Sequence, residues 1–157
     1  MIFRQYLKVL TGEKTETRRC VQLHESAHYR DNRVFKVLTA NGRQKWLVGN
    51  ELPVIPKRAA SQVGRVILHS IRCELLQSIT EEGAIAEGVA SVAEYKELWE
   101  SINGKYPGLR WDDNPMVWVL SFSPKPPPAQ LNFNFPVGDG TPVSADDLTF
   151  EIGGGLG

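Results

Sequence analysis

The stretch Gly12-Glu13-Lys14-Thr15-Glu16-Thr17-Arg18-Arg19 gathers an amine, hydroxyls, carboxylates and two guanidinium groups. Amide hydrolysis needs a nucleophile, a base and a group to steady an oxyanion. Thr17 offers a hydroxyl. Lys14, if desolvated or set beside Arg18 or Arg19, becomes a usable base. The two arginines suit an oxyanion or a phosphate. The plainer alternative is a solvated, salt-bridged edge strand, because charge runs usually lie at the surface. In a regular strand Lys14 and Thr17 point to opposite faces, so a shared site requires a bend near Lys14-Thr15.

Other residues invite chemistry less strongly. His24-Glu25-Ser26-Ala27-His28 fits the zinc-protease pattern H-E-x-x-H, which needs a helix and a third ligand. Tyr29-Arg30-Asp31-Asn32 adds no ligand, and the remaining histidine, His69, falls in an expected strand. A polar surface segment without metal is the expectation. Among Trp46, Trp99, Trp111 and Trp118, the second and fourth lie on apolar faces and read as core. Trp111 lies in a loop-like stretch and is the candidate for stacking on a base. Cys20 and Cys73 have no metal or redox spacing, so packing is expected, with no disulfide and no cofactor.

The elements that must position these groups follow from pattern. Phe3, Leu7 and Leu10 give a short amphipathic helix stopped by Gly12. Residues 20–33 are too polar to assign. Val34–Thr39 and Lys45–Val48 read as strands joined at Asn41-Gly42. Glu51–Ile55 is a further strand, confined by Pro53 to an edge or bulge. Gly64–Leu76, apolar on both faces, is the expected central strand. Thr80 caps a short helix near 81–87, with Glu81 and Glu82 at its positive end and Gly83 and Gly88 limiting it. Ser91-Val92-Ala93-Glu94 is a capping box opening a helix to Asn103. Met116–Phe122 alternates as a strand. Strands and helices in mixed order predict an α+β fold, a small curved β-barrel flanked by helices.

The chain has 157 residues, 41% of them hydrophobic, enough for one domain with a core. The composition changes at Pro124-Lys125-Pro126-Pro127-Pro128, a stiff extended linker. The expected division is a domain at 1–123 and a Pro/Gly-rich extension at 124–157, with short strands conceivable at Asn132–Pro136 and Leu148–Ile152. No stretch has the apolar length of a membrane span, and the first residues lack the pattern of a signal peptide. A soluble cytoplasmic protein is expected. The formal charge is zero but polarised. Residues 1–78 carry 14 Lys and Arg against 6 Asp and Glu, whereas residues 79–157 carry 4 against 12. Such a molecule either presents a basic face to phosphates or neutralises itself in folding.

These segments, taken in order, carry a resemblance. Gly12-Glu13-Lys14-Thr15-Glu16-Thr17-Arg18-Arg19 resembles the signature of the ASCH domain, of the PUA-like superfamily. Val48-Gly49-Asn50, Val63-Gly64-Arg65-Val66 and Ile79-Thr80-Glu81-Glu82-Gly83-Ala84 with Ala86-Glu87-Gly88 continue it. Leu98-Trp99-Glu100-Ser101-Ile102-Asn103-Gly104 and Asn114-Pro115-Met116-Val117-Trp118-Val119 complete it over roughly residues 2–122. The resemblance implies a PUA-like β-barrel with a cleft beside the signature. Many members of that family are inferred to bind RNA. Some small ones remove the acetyl group from N4-acetylcytidine, and others have been described as nucleases.

In the amidohydrolase-type pattern a Lys, a Thr three residues on and a Glu on a later helix form the catalytic set. Carried over singly, these fall on Lys14, Thr17 and Glu87. The broader signature has a Glu where this chain has Thr17, which brings the chain nearer the amidohydrolase type. The expected site is then Lys14, Thr17 and Glu87 for catalysis, with Arg18, Arg19 and Trp111 binding a nucleoside or RNA. Glu87 would orient Lys14 or shuttle a proton; alternatively the two form a structural ion pair. The alternatives to a metal-independent amidohydrolase of an N4-acylated cytidine are a non-catalytic RNA-binding module and a ribonuclease.

Overall fold

The computed structural model describes residues 1–126. The strands expected at 132–136 and 148–152 lie outside the described residues. The described elements are α1 (Tyr6–Leu10), β1 (Glu16–Cys20), β2 (Ser26–Arg30), β3 (Arg33–Leu38), β4 (Gln44–Leu47), β5 (Glu51–Val54), β6 (Gly64–Leu75), α2 (Glu81–Ala86), α3 (Val92–Asn103) and β7 (Met116–Pro124). This is an α+β arrangement. The strands form one sheet in the order β1-β7-β6-β3-β2, with β4 paired to β3 and β5 to β6. All of these strand pairs are antiparallel. Among the described residues the pairings do not close the sheet into a barrel.

The centre is the long pair β6–β7, in register from Val66 opposite Pro124 to Leu75 opposite Met116, with a bulge between Leu68 and Ser70. The alternation of β7 divides its side chains between two layers. Val117 and Val119 pack on one side with Leu76, Ala84, Tyr95, Trp99 and Trp111, under α2 and α3. Trp118 and Leu120 pack on the other with Val34, Val37, Trp46, Leu68 and Ile71. Phe122 joins Phe3, Val9, Val54 and Val66 in a third cluster beneath α1. Each such fully buried side chain contributes roughly 1.5–3 kcal/mol relative to exposure. No helix among the described residues is long and apolar enough to cross a membrane.

Two departures from expectation, and one expectation that is met at Pro53, have physical causes. Helix α1 starts at Tyr6 because Phe3 is held earlier, its N–H bonded to the Ile55 carbonyl at 2.9 Å and its ring 5.4 Å from that of Phe122. Pro53 sits in β5, which pairs with β6 alone; the missing N–H therefore breaks no ladder. The unassigned stretch 20–33 contains β2, closed onto β3 by Asp31 and Asn32 at φ 49° and 61°. Both turn residues are left-handed, as tight hairpins require. Its apolar content is slight, and what fastens this region lies one residue before the strand. Glu25 accepts from Trp118 Nε1 at 2.7 Å, from the Gln22 N–H at 3.0 Å and from Lys45.

Candidate functional site

Helix α1 ends and the chain turns through Gly12 at φ +80°. Lys14 follows this turn but precedes β1, so strand alternation does not govern where its side chain points. The bend needed for Lys14 and Thr17 to share a site is therefore present. Two backbone bonds fix it. The Thr15 N–H donates to the Ala86 carbonyl at 2.8 Å, and the Phe122 N–H donates to the Thr15 carbonyl at 2.9 Å. The first of these ties the signature segment to the end of α2.

Helix α2 is built to stop there. Thr80 caps it by accepting from the Gly83 N–H at 3.0 Å, and the chain leaves it at Glu87 and then Gly88, φ +88°. A Cβ on Gly88 would stand 3.1 Å from Gln5 Oε1 and 3.4 Å from Lys14 Cβ. One on Gly83 would stand 3.0 Å from an Arg18 guanidinium nitrogen. The two glycines that shorten α2 thus also admit Lys14 and Arg18 to its flank.

Lys14, Thr17, Arg18 and Glu87 are the buried polar or charged residues of the described chain, each at most 5% exposed. Lys14 Nζ donates to the Glu87 carboxylate and, at 2.8 Å, to the Glu87 carbonyl. Arg18 lies on the other oxygen of the same carboxylate, 3.3 Å away, and reaches Glu74 at 3.1 Å and Glu16 at 3.4 Å. Glu16 and Glu74 in turn bind Arg72 nearer the surface. Burial pushes the Lys14 amine below its ordinary pKa, and Arg19 and Arg18 push the same way. Glu87 opposes but does not cancel them. Burial likewise raises the Tyr95 phenol, with the Glu87 charge adding to it, so the phenol stays protonated.

These residues border a cavity of about 630 Å³. Lys14, Thr17, Arg18, Arg19 and Glu87 all line it. Its apolar wall comes from Phe3, Trp46, Leu52, Leu98, Trp99 and Ile102. The Thr17 hydroxyl makes no hydrogen bond among the described residues, and neither does the buried Nε of Arg18, the buried Nε of Arg19 or the buried Oε1 of Gln5. All four atoms belong to cavity-lining side chains. Arg19 donates to the Ile2 carbonyl at 2.7 Å and lies over the Phe3 ring. Arg18, by contrast, is committed to carboxylates. The arrangement can bind a flat, polar-edged molecule and present an amine and a hydroxyl to it.

Trp111 departs from the reading that placed it beside a base. It is 9% exposed, in a short 3₁₀ turn, and packs edge-on to Tyr95 in the layer under the helices. It does not line the cavity. Trp46 and Tyr95 do, and neither was singled out for the site from sequence. Tyr95 is a core residue of α3, packed with Trp99 and Trp111, and its proximity to Glu87 depends on how α3 packs on α2. His24-Glu25-Ser26-Ala27-His28 forms a turn and the start of β2, with His24 at φ 63°. The histidines therefore lack the shared helical face the zinc motif needs, and Glu25 is occupied by Trp118 and Lys45. Among the described residues no group of three or more His, Cys, Asp or Glu is placed to hold a metal.

No protein-family model and no curated protein matches the chain. Two solved structures are similar to it. An ASCH domain from Lactobacillus crispatus aligns at TM-score 0.52 and 16% identity, over 76% of this chain and 69% of that one. A protein of Enterococcus faecalis described by the family model DUF984 aligns at TM-score 0.50 and 14% identity, over 77% and 69%. At such identity the likeness is one of fold: the chain has an ASCH-like fold.

Proposed function

We propose that this chain is a PUA-like domain that binds a nucleoside in the Lys14–Glu87 cavity and hydrolyses the exocyclic amide of an N4-acylated cytidine. The observation that carries this reading is the buried Lys14 amine, its pKa lowered, beside an unengaged Thr17 hydroxyl in one cavity. The substrate class comes from the resemblance of the signature segment, and the ASCH-like fold supports it. An N4-acyl group places a carbonyl next to a base that the apolar wall can hold. Thr17 positions a water that attacks that carbonyl, or attacks it itself to give an acyl-Thr17 ester that a water then cleaves, returning the hydroxyl to Thr17; in either route neutral Lys14 takes the proton of the attacking group. Arg19 is the better-placed guanidinium for the developing oxyanion, because Arg18 is held by three carboxylates. The C–N4 bond then breaks, and Lys14 returns the proton to N4. Across the whole reaction one water is consumed, its hydroxyl ending on the acyl carbon and a proton on the amine. Glu87 keeps the Lys14 side chain in place and tunes its charge.

The test is incubation with N4-acetylcytidine, following deacetylation by chromatography, beside Lys14→Ala, Thr17→Ala and Glu87→Gln with folding checked by circular dichroism. Loss of the general base is expected to slow turnover by about 10²- to 10⁴-fold. No turnover on acylated nucleosides or acylated RNA, or turnover indifferent to Lys14, would sink the catalytic reading. One observation favours a binding module instead: both acceptors of Lys14 Nζ belong to Glu87, as in an ion pair that only closes the fold. In that case Thr17→Ala binds nucleoside as the parent does.

A further inference from the structure

The charged residues between the Lys14 cavity and the surface form a closed figure. Arg18 of β1 and Arg72 of β6 both lie opposite Val119 of β7, so the two guanidinium groups share one row across the sheet with a valine between them. Partners across antiparallel pairs project to the same side. Glu16 stands two residues before Arg18 and Glu74 two residues after Arg72, which puts their side chains on that side too. Each carboxylate then bridges both arginines. Glu16 accepts from Arg18 at 3.4 Å and from Arg72 at 3.0 and 3.3 Å. Glu74 accepts from Arg18 at 3.1 Å and from Arg72 at 3.4 Å. The result is a ring of alternating charge, Arg18-Glu16-Arg72-Glu74. The hairpin shows the same sheet without such a ring: Arg30 lies directly opposite Arg33 across β2 and β3, and neither has a carboxylate partner among the described residues.

The ring reaches from solvent to the cavity. The side chain of Arg72 is 45% exposed and that of Arg18 only 1%. Arg18 also holds a carboxylate outside the ring, Oε1 of Glu87 at 3.3 Å, whose other oxygen takes the Lys14 amine. Its Nη1 is shared between Glu16 and Glu87. Arg18 is therefore divided between the ring and Glu87, and what it takes of the Glu87 charge is lost to Lys14. The ionisable groups about Lys14 come from each neighbouring element. They are Lys8 of α1, on the Gly88 carbonyl at 2.6 Å, Arg18 and Arg19 of β1, Glu87 at the end of α2, the Tyr95 phenol of α3 and, across the cavity, Lys45 of β4, itself paired with Glu25. Glu87 favours the charged amine, and the two arginines oppose it.

We propose that Arg72, Glu16 and Glu74 are positioning residues for the cavity: the ring they close around Arg18 fixes its place between Glu74 and Glu87, and thereby the share of the Glu87 carboxylate left to Lys14. The consequence for turnover rests on the reading of Lys14 as the base; the protonation of Lys14 does not, and is measured directly. Members of opposite charge act in opposite directions. Without the Arg72 N–H groups, Glu16 and Glu74 turn fully on Arg18 and draw it from Glu87, so Lys14 keeps its proton to higher pH. Without the Glu74 charge, Arg18 settles on Glu87, and Lys14 sheds its proton at lower pH.

The test is a pH titration of Lys14 by NMR in the full chain carrying isotope-labelled lysine, its signal identified by its absence in Lys14→Ala. Arg72→Lys keeps the charge at a partly exposed position but not the fork that spans both carboxylates. It is expected to raise the Lys14 midpoint, as is Arg72→Gln, whereas Glu74→Gln is expected to lower it. The pH–rate limb on N4-acetylcytidine is expected to move with the midpoint, by roughly tenfold in rate at low pH for each unit, with KM unchanged. A midpoint moved by Arg72→Gln but not by Arg72→Lys overturns the proposal, since charge alone would then suffice. So does a midpoint that all three variants leave in place, which would make the ring only a fastening of the sheet. Midpoints that move as expected in a protein without turnover uphold the ring and remove the catalytic reading; turnover with unmoved midpoints does the reverse.

Discussion

The Lys14 cavity and the β2–β3 hairpin both concentrate positive charge, yet they treat it in opposite ways. At the cavity, Lys14 and Arg18 are removed from water and each is answered by a carboxylate. At the hairpin, Arg30 and Arg33 stay solvated, and among the described residues no carboxylate answers them. The difference follows from desolvation. A buried cation without a partner is too costly to keep, whereas an exposed one loses little by standing alone. Buried charge therefore marks groups held in fixed geometry, and exposed unpaired charge marks groups left free for something outside the molecule.

The contrast is most easily broken at Glu87. Glu87→Ala leaves two buried cations facing no carboxylate at that point, and a loss of about 3–5 kcal/mol in denaturant unfolding is expected. A loss below about 1 kcal/mol would mean that Lys14 and Arg18 simply reach water, and the distinction between the regions would fail. Glu25 extends the test to a half-buried acid outside both sites. Glu25→Ala strands Trp118 Nε1 and is expected to cost about 1–3 kcal/mol. Burial works against its charge, but hydrogen bonds from Lys45, Gln22 and Trp118 hold its carboxyl below the usual range. That stabilisation is therefore present above the ordinary carboxylate pKa and is lost as pH falls through the lowered value.

Gly88→Ala probes the backbone that brings Glu87 to Lys14. Positive φ and the approach to Lys14 Cβ predict a loss of about 1–2 kcal/mol in thermal unfolding, with reduced turnover. Titration sharpens the comparison further. The folded pKa of Lys14 lies below 10.5. Below that folded value both states hold the proton, and the burial penalty is present in full. As pH rises through it the native state sheds the proton while the unfolded chain keeps it, so stability rises until the unfolded group titrates. Turnover is expected to rise over the same limb. Because Glu87 opposes the lowering, Glu87→Gln should move that limb to lower pH, read from a pH–rate profile of the residual activity. The smallest effect belongs to the hairpin. Arg33→Gln is expected to change stability by no more than about 0.5 kcal/mol, and in the stabilising direction, since it removes a like-charge pair.

What could be read in the linear sequence was local. Val66, Leu68 and Ile71 mark β6, and the alternation of β7 marks a strand with two apolar faces, because a pleat sorts side chains by parity. Thr80 and Ser91 mark helix starts through orphan N–H groups. The density of functional groups from Gly12 to Arg19 marked a candidate site, and a resemblance attached Glu87 to it. None of these short-range rules reached β2, whose anchoring comes from Glu25 bonding Trp118, a residue 93 positions away. Local pattern also misplaced Trp111, since a loop-like composition says nothing about what packs over a ring.

The tertiary structure alone decided which charges are buried. Lys14 and Lys36 are the same side chain in similarly charged stretches, but only Lys14 lies under the end of α2, where the Thr15 N–H meets the Ala86 carbonyl. A lysine's pKa depends on the water it has lost and the charges that face it, and both are set by the packing of segments tens of residues apart. Sequence determines the inventory of groups and the elements that carry them. Whether an amine is a solvated ammonium or a buried base is a property of the tertiary fold.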